Sequence, residues 1–435
     1  MSGAPGTRAA RRLTRGKRGP TIPGPLAPPA PHDPYASLRF PEFRAFLGSM
    51  AAVFVATQIQ STVLGWQVFA LTGDPLSLGL VGLAEALPFL SFTLLGGWVA
   101  DRLDRRAASL ASLAAVAASS AWLLVLSLGT PGSTLPFYGA QALAGLGRAF
   151  FRPASVALGS ELVPREHYHN AATWRSSVFH AAMVLGPAAG GFLIALGGPR
   201  LAYAATLGLT AAGLLSLATI TPRPRPAQAP ARLLHALTDG VRFVFAQPLL
   251  LGAMSLDLFA VLFGGATALL PAFAREVLGA GEVGFGFLRA APAAGSVATS
   301  LALARFGHFR RAGPALLWSV ALFGLTWIVF ALSRSYVLSL ALLGLGGALD
   351  AVSVVMRSTL LQLHTPPDKM GRVAAVNSFF IGSSNELGAF ESGVAARLLG
   401  LVPSVLFGGA MTLCTVGVVA WRAPALRKLG RIGGP

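Results

Sequence analysis

Five acidic residues stand inside long apolar runs of the sequence: Glu85, Asp257, Asp350, Glu386 and Glu391. An ionised carboxylate at the centre of a bilayer costs at least ~2.5 kcal/mol on insertion scales, so each needs a cavity, a cation or a proton. A carboxyl group held in such a place can take up a proton on one side and release it on the other. Each acid therefore has two readings, a proton-coupling or substrate contact and a structural ion pair. Glu386 and Glu85 lead the coupling reading, followed by Asp350. Arg357 lies seven residues after Asp350, on the same helix face but two turns away, too distant to pair without a bridge. Glu386 and Glu391 are five residues apart, about 140° around a helix, and so meet different surroundings. Gln58 and Gln60 are polar within the first apolar run. Lining a cavity and bonding a neighbouring helix are both open to them. Trp66 and Phe54 read as packing or as the wall of an apolar cavity. His180 and Cys414 read as small buried groups within spans.

A second set of residues follows the second apolar run: Gly97-Trp98-Val99-Ala100-Asp101-Arg102-Leu103-Asp104-Arg105-Arg106. Gly97 permits a close helix approach. Asp101 suits a helix N-terminus, where the dipole favours an anion. Arg105 and Arg106 are placed to reach an acid on a neighbouring helix end, with Glu161 the candidate. With Arg102, these residues make a conformational latch; ordinary topogenic charge is the competing reading. Further on stands Gly186-Pro187-Ala188-Ala189-Gly190-Gly191. There the proline kinks a helix and Gly186, Gly190 and Gly191 let a neighbour come close.

These residues sit in a chain built for a membrane. Of 435 residues, 54% are hydrophobic and 11% charged. Mean hydropathy is +0.65. A soluble surface needs far more charge. Blocks of about 20 apolar residues match the ~30 Å hydrocarbon core. They run about 43–71, 77–100, 107–129, 134–158, 171–196 and 199–220, then 248–273, 283–304, 314–332, 336–362, 374–399 and 401–421. The expected fold is an all-α membrane protein of about twelve transmembrane helices in two six-helix bundles, residues 41–221 and 248–422. Between them, 222–247 opens with a Pro-Arg stretch and continues as an amphipathic helix along the membrane surface. Residues 1–40 read as a disordered, basic, Pro-rich tail and 423–435 as a short C-terminal tail. The loops Pro164-Arg165-Glu166 and Pro366-Pro367-Asp368 echo each other about 202 residues apart, as two similar halves require.

The net charge is +18. In a soluble protein this would suggest nucleic acid, but here basic residues flank apolar blocks. With the N-terminus in the cytoplasm, all Lys and Arg except Arg200, Arg275, Arg289, Arg334 and Arg397 fall on the cytoplasmic side or in the cytoplasmic half of a helix. Both termini are therefore expected inside. No phosphate-binding loop, hydrolase elbow or zinc spacing occurs, so neither an enzyme nor a cofactor or metal is expected.

The loop at 97–106 resembles the signature between helices two and three of the major facilitator superfamily, with Asp104 replacing its second glycine. Gly186–Gly191 resembles the helix-five element that, in that family, goes with antiport. Leu269-Leu270-Pro271-Ala272-Phe273-Ala274 and the run Asp350–Gln362, Thr365-Pro366, Gly371-Arg372-Val373 and Ser384–Gly393 resemble its enterobactin-exporter-like branch, whose relatives include macrolide efflux proteins. The resemblance implies a secondary transporter in the cell (inner) membrane, a proton-coupled exporter of an amphipathic or hydrophobic small molecule of drug or siderophore type. Its partners would be the lipid bilayer, the substrate and protons, in a monomer. Facilitated uptake or symport, and a lipid flippase or non-transporting receptor, are the alternatives.

Overall fold

Each apolar block of the sequence folds as helix, because in hydrocarbon a helix satisfies its backbone polar groups within one segment. The structure, a computed structural model, describes residue 3 and residues 33–102, 104–129, 131–222, 233–264, 266–306, 311–366 and 369–430. The basic N-terminal cluster, the Pro-Arg stretch of the linker and Asp368 lie outside them, as does the Asp101 side chain.

The first half contains α1 (Pro41–Thr72), α2 (Pro75–Arg102), α3 (Arg105–Leu128) and α4 (Leu135–Glu161). A continuous helical segment, Tyr168–Ala218, follows. Straight, its 51 residues would span roughly 76 Å, far more than a bilayer. It turns back at Gly197 and at Gly198, whose φ of 67° only glycine adopts freely. The pieces are α5 (168–196) and α6 (199–218). They run antiparallel: Gly186 and Gly190 follow Gln58 and Thr62 along α1 in the same direction, whereas Ser49 bonds Gly213 and Gln67 bonds Tyr203 in the opposite one.

A linker helix, α7 (Leu233–Ala246), leads to the second half: α8 (Pro248–Gly264), α9 (Glu282–Phe306), α10 (Ala312–Leu332), α11 (Tyr336–His364), α12 (Met370–Leu399) and α13 (Leu401–Arg422). The short α14 (Pro424–Arg427) ends it. Past Gly264 the α8 path becomes irregular, with a 3-10 turn at Ala266–Leu269 and a π-helical turn at Phe273–Val277.

Among the described residues, nine helices are long and apolar enough to cross a membrane. One of them is the segment that folds back, and so crosses twice. The two remaining spans, α4 and α12, have the length but carry Gln141, Arg148 and Arg152, and Asn377, Asn385, Glu386 and Glu391. Gln141 and Arg148 of α4 meet Glu85 of α2, and the bundles touch where α2 packs on α12 and α5 on α9.

Of the apolar stripe of α7, Val244 is fully buried with Leu250, Met254, Leu361, Val373 and Val376, while Val241 and Phe245 are exposed. Asp239 bonds Arg372 of α12 at 3.0 Å. One expectation changes here. Cys414 is exposed, because α13 packs through Gly408, Gly409 and Thr412 and a residue two positions on faces the other way.

Candidate functional site

A cavity of about 1060 Å³ lies between the halves. It is walled by α2 (Phe89, Leu90, Thr93, Gly97), α4 (Arg152, Val156, Ser160), α5 (Tyr168, Arg175) and α12 (Phe379, Phe380, Gly382), and reaches Arg105, Val241 and Arg372 at the linker end. The wall is largely apolar, with arginines towards the mouth. That combination suits an amphipath carrying polar oxygens.

The opposite end is sealed by backbone-to-backbone packing. A Cβ on Gly191 would stand 2.5 Å from the Glu282 carbonyl oxygen and 3.0 Å from Gly286 Cα. One on Gly79 would stand 3.1 Å from Gly393 Cα. Trp66 stacks on Phe285 at 5.3 Å, Asp74 pairs with Arg397, and Arg289 donates to Ser61 Oγ at 2.7 Å. Leu269, Leu270 and Phe273 fill the space between Phe69 and Leu78 of the first bundle and Phe285 and Trp327 of the second. The chain is thus open at the linker end and shut at the far end.

At the closed end of the cavity lies a charged cluster. Glu85 of α2 is buried. One of its oxygens pairs with Arg148 and the other accepts from Gln141 Nε2. Arg148 also lies over the Phe89 ring, 5.6 Å from its centroid, and its charge acts on Glu386 of the opposing bundle. Arg148 is thus paired with the carboxylate of one bundle and acts through its charge on that of the other. The helices come this close because Gly145 and Gly96 carry no Cβ. At Gly145 a Cβ would strike the Glu85 backbone and at Gly96 that of Ala149.

The second half holds a matching cluster. Asp257 of α8 pairs with Arg357 of α11, and these residues are 6% and 3% exposed. Asp350, one face along α11, feels both charges. It lines a smaller cavity with Thr267, Thr326, Trp327 and Asn385. Glu391 is half-buried towards the far end of α12, bonded to the Ser392 hydroxyl.

The latch residues fall into place unevenly. Arg105 Nη1 lies 3.0 Å from Glu161 Oε1, while Arg106 donates instead to the Ala218 carbonyl at 2.7 Å. Arg102 sits 4.2 Å above the Trp98 ring. Asp104 needs no glycine conformation: with φ −55° it caps α3, accepting from the Ala107 N–H. Gly97 does not make the close approach expected of it. A Cβ there would meet nothing within 4 Å, because Gly97 faces the open cavity and Gly96 makes the contact. Gly186 and Gly190 press on α1, and Pro187 and Gly191 on α9.

Gln58 and Gln60 do not line the cavity. Gln58 contacts Met183. Gln60 is buried between Ser119 (3.1 Å) and Ser120 (2.7 Å) of α3. Both serve to join helices, because α1 is enclosed by α3, α5 and α6. Trp66 and Phe54 are engaged with Phe285 and Phe179. His180 is not enclosed but lines an open groove between α5 and α9. Sequence reasoning passed over Gln141, Arg152, Arg175 and the pairing role of Arg148. The only available signal was an arginine or glutamine within an otherwise apolar span. Among the described residues, no group of three or more His, Cys, Asp or Glu could hold a metal ion.

Comparisons agree with this architecture. The sequence profile of the Major Facilitator Superfamily matches residues 46–389. The enterobactin exporter EntS of Shigella boydii serotype 18 is 30% identical over 386 residues, 85% of this chain and 86% of that protein. Two solved structures share the fold at low identity. A POT family transporter in complex with 5-aminolevulinic acid has a TM-score of 0.69 at 12% identity, over 88% of this chain and 96% of that one. A bacterial homologue of the iron transporter ferroportin in an inward-facing state has a TM-score of 0.68 at 15% identity, over 90% and 99%. With the profile covering most of the chain and a relative similar along 85% of it, this protein belongs to the major facilitator superfamily and is a multi-pass membrane transporter of small molecules.

Proposed function

We propose that this chain is a proton-coupled exporter of an amphipathic or hydrophobic small molecule, of drug or siderophore type, working as a monomer by alternating access. Both termini and the linker 222–247 face the cytoplasm, in the inner membrane, so the cavity is open to the inside. The observation that carries the reading is the cluster of Glu85, Arg148 and Glu386 at the closed end of that cavity. Its two acids come from the two bundles, 41–221 and 248–422. Arg148, paired with Glu85, can also act on Glu386 only while α2 and α12 stay together. When the bundles rock, Glu386 moves away from Arg148 and a proton takes over as its counter-charge. The far end opens as the Gly191–Gly286 and Gly79–Gly393 contacts part. The linker end closes at the loop that carries Asp101, where Arg105 and Glu161, already paired within the first bundle, keep α3 on α4. Similarity to an enterobactin exporter supports the outward direction.

The test is counterflow into proteoliposomes with a panel of siderophores, amphipathic drugs and lysolipids, with and without an imposed pH gradient. Accumulation of one class, stimulated when the side receiving substrate is the more acidic, is the expected result. Counterflow indifferent to the gradient refutes the coupling, and none for any class refutes export of such compounds.

A further inference from the structure

The smaller cavity in the second bundle is a different kind of site from the cluster around Arg148. It measures about 150 Å³, space for an ion and a few waters. Asp350 lines it, together with Thr326, Asn385 and Trp327. Its neighbouring charges are Asp257 and Arg357. These two are already paired to each other, so the carboxylate of Asp350 is the surplus charge of the group.

The polar atoms around that carboxylate present oxygen. The Thr326 hydroxyl donates its hydrogen to the Phe323 carbonyl at 2.7 Å. The Asn385 amide donates to the Ile381 carbonyl at 2.8 Å. The Thr326 hydrogen and one of the two Asn385 amide hydrogens are directed to backbone, leaving the Thr326 and Asn385 oxygens to accept or coordinate. The Trp327 Nε1–H is the exception. It is buried without a partner, in a residue 5% exposed, and calls for a water as acceptor in the cavity. The wall also includes Val261, near the end of α8, and Thr267, in the 3-10 turn beyond it. A spanning helix interrupted beside a cavity offers backbone carbonyls to a cation.

We propose that this cavity binds a hydrated, sodium-sized monovalent cation, held by the Asp350 carboxylate and the Thr326 and Asn385 oxygens. A proton on Asp350 would need neither a cavity of this size nor two further oxygens free to accept. Asn385, exposed at the rim, gives access to the ion. Asn385 adjoins Glu386, so one helix, α12, carries a contact to this cation and the acid that meets Arg148. Cation occupancy is thereby linked to the interface between the bundles. The site stands on its own geometry and does not depend on export or on proton coupling.

The experiment uses the full chain in nanodiscs, followed by thermal unfolding at constant ionic strength as sodium chloride replaces choline chloride. A saturable rise in Tm over a millimolar range, specific to sodium, is expected, because a ligand bound only by the folded state stabilises it. Asp350→Asn should abolish the rise, and Thr326→Val, close in shape but lacking the oxygen, should weaken the apparent affinity several-fold. Glu386→Gln should retain it. Should Asp350→Asn fail to fold, Thr326→Val still decides. A Tm that follows pH but not sodium, an equal response to choline, or an unaltered sodium response in Thr326→Val overturns the proposal.

Discussion

Asp257 and Arg357 carry opposite charges in a place with almost no access to water. Removing one partner leaves the other buried and uncompensated, a loss of about 3 kcal/mol or more. Asp257→Asn should therefore lower the midpoint of chemical unfolding in detergent, and the double change Asp257→Asn with Arg357→Gln should recover part of it. Equal destabilisation by the single and double variants would show that the pair is not coupled. The five acids stood out in the sequence because a carboxylate in an apolar run demands an explanation. Their partners did not. Arg148 and Arg152 resemble the basic residues that set topology, and nothing in the local pattern says that Gln141 bonds Glu85 from 56 positions away. For the same reason Gln60 could be read two ways until the Ser119 and Ser120 hydroxyls appeared beside it.

Helix positions were far more legible, because the length of an apolar block and the thickness of a bilayer determine each other. The block at 171–196 and its successor at 199–220 met the observed fold-back at Gly197 and Gly198. Which glycines carry the packing was less legible. Gly97 belongs to the recognisable loop, yet Gly96 and Gly145 make the contacts of α2 with α4, since contact depends on which face a neighbour covers. Gly145→Val should reduce the folded, monodisperse yield sharply, because its side chain would occupy the space of the Glu85 backbone. Gly191→Ala acts elsewhere, between the bundles. Its Cβ would stand 3.0 Å from Gly286 Cα. Spin labels on the far ends of α5 and α9 should report a longer distance in that variant, with thermal stability nearly unchanged. An unaltered distance would mean that this contact does not hold the far end shut.

The two halves together form a vessel with one open end, and the proposed orientation assigns that end to the cytoplasm. In a Cys414→Ser background, a membrane-impermeant thiol reagent applied to intact cells should label Gly132→Cys and spare Thr221→Cys. Both positions are exposed, so the opposite pattern would invert the topology. This orientation rests on the distribution of arginine around the spans; the substrate was not legible, because an apolar wall with a few guanidinium groups admits many amphipaths. The most direct test joins the halves through their shared charge cluster. In proteoliposomes, proton movement is measured against transport of whichever panel compound shows counterflow, for the natural chain and for Glu386→Gln. If Glu386 carries the proton across, the variant still exchanges substrate between compartments of equal pH but moves no protons with it. A variant that is merely less stable, with the same number of protons per transported molecule, would contradict the account.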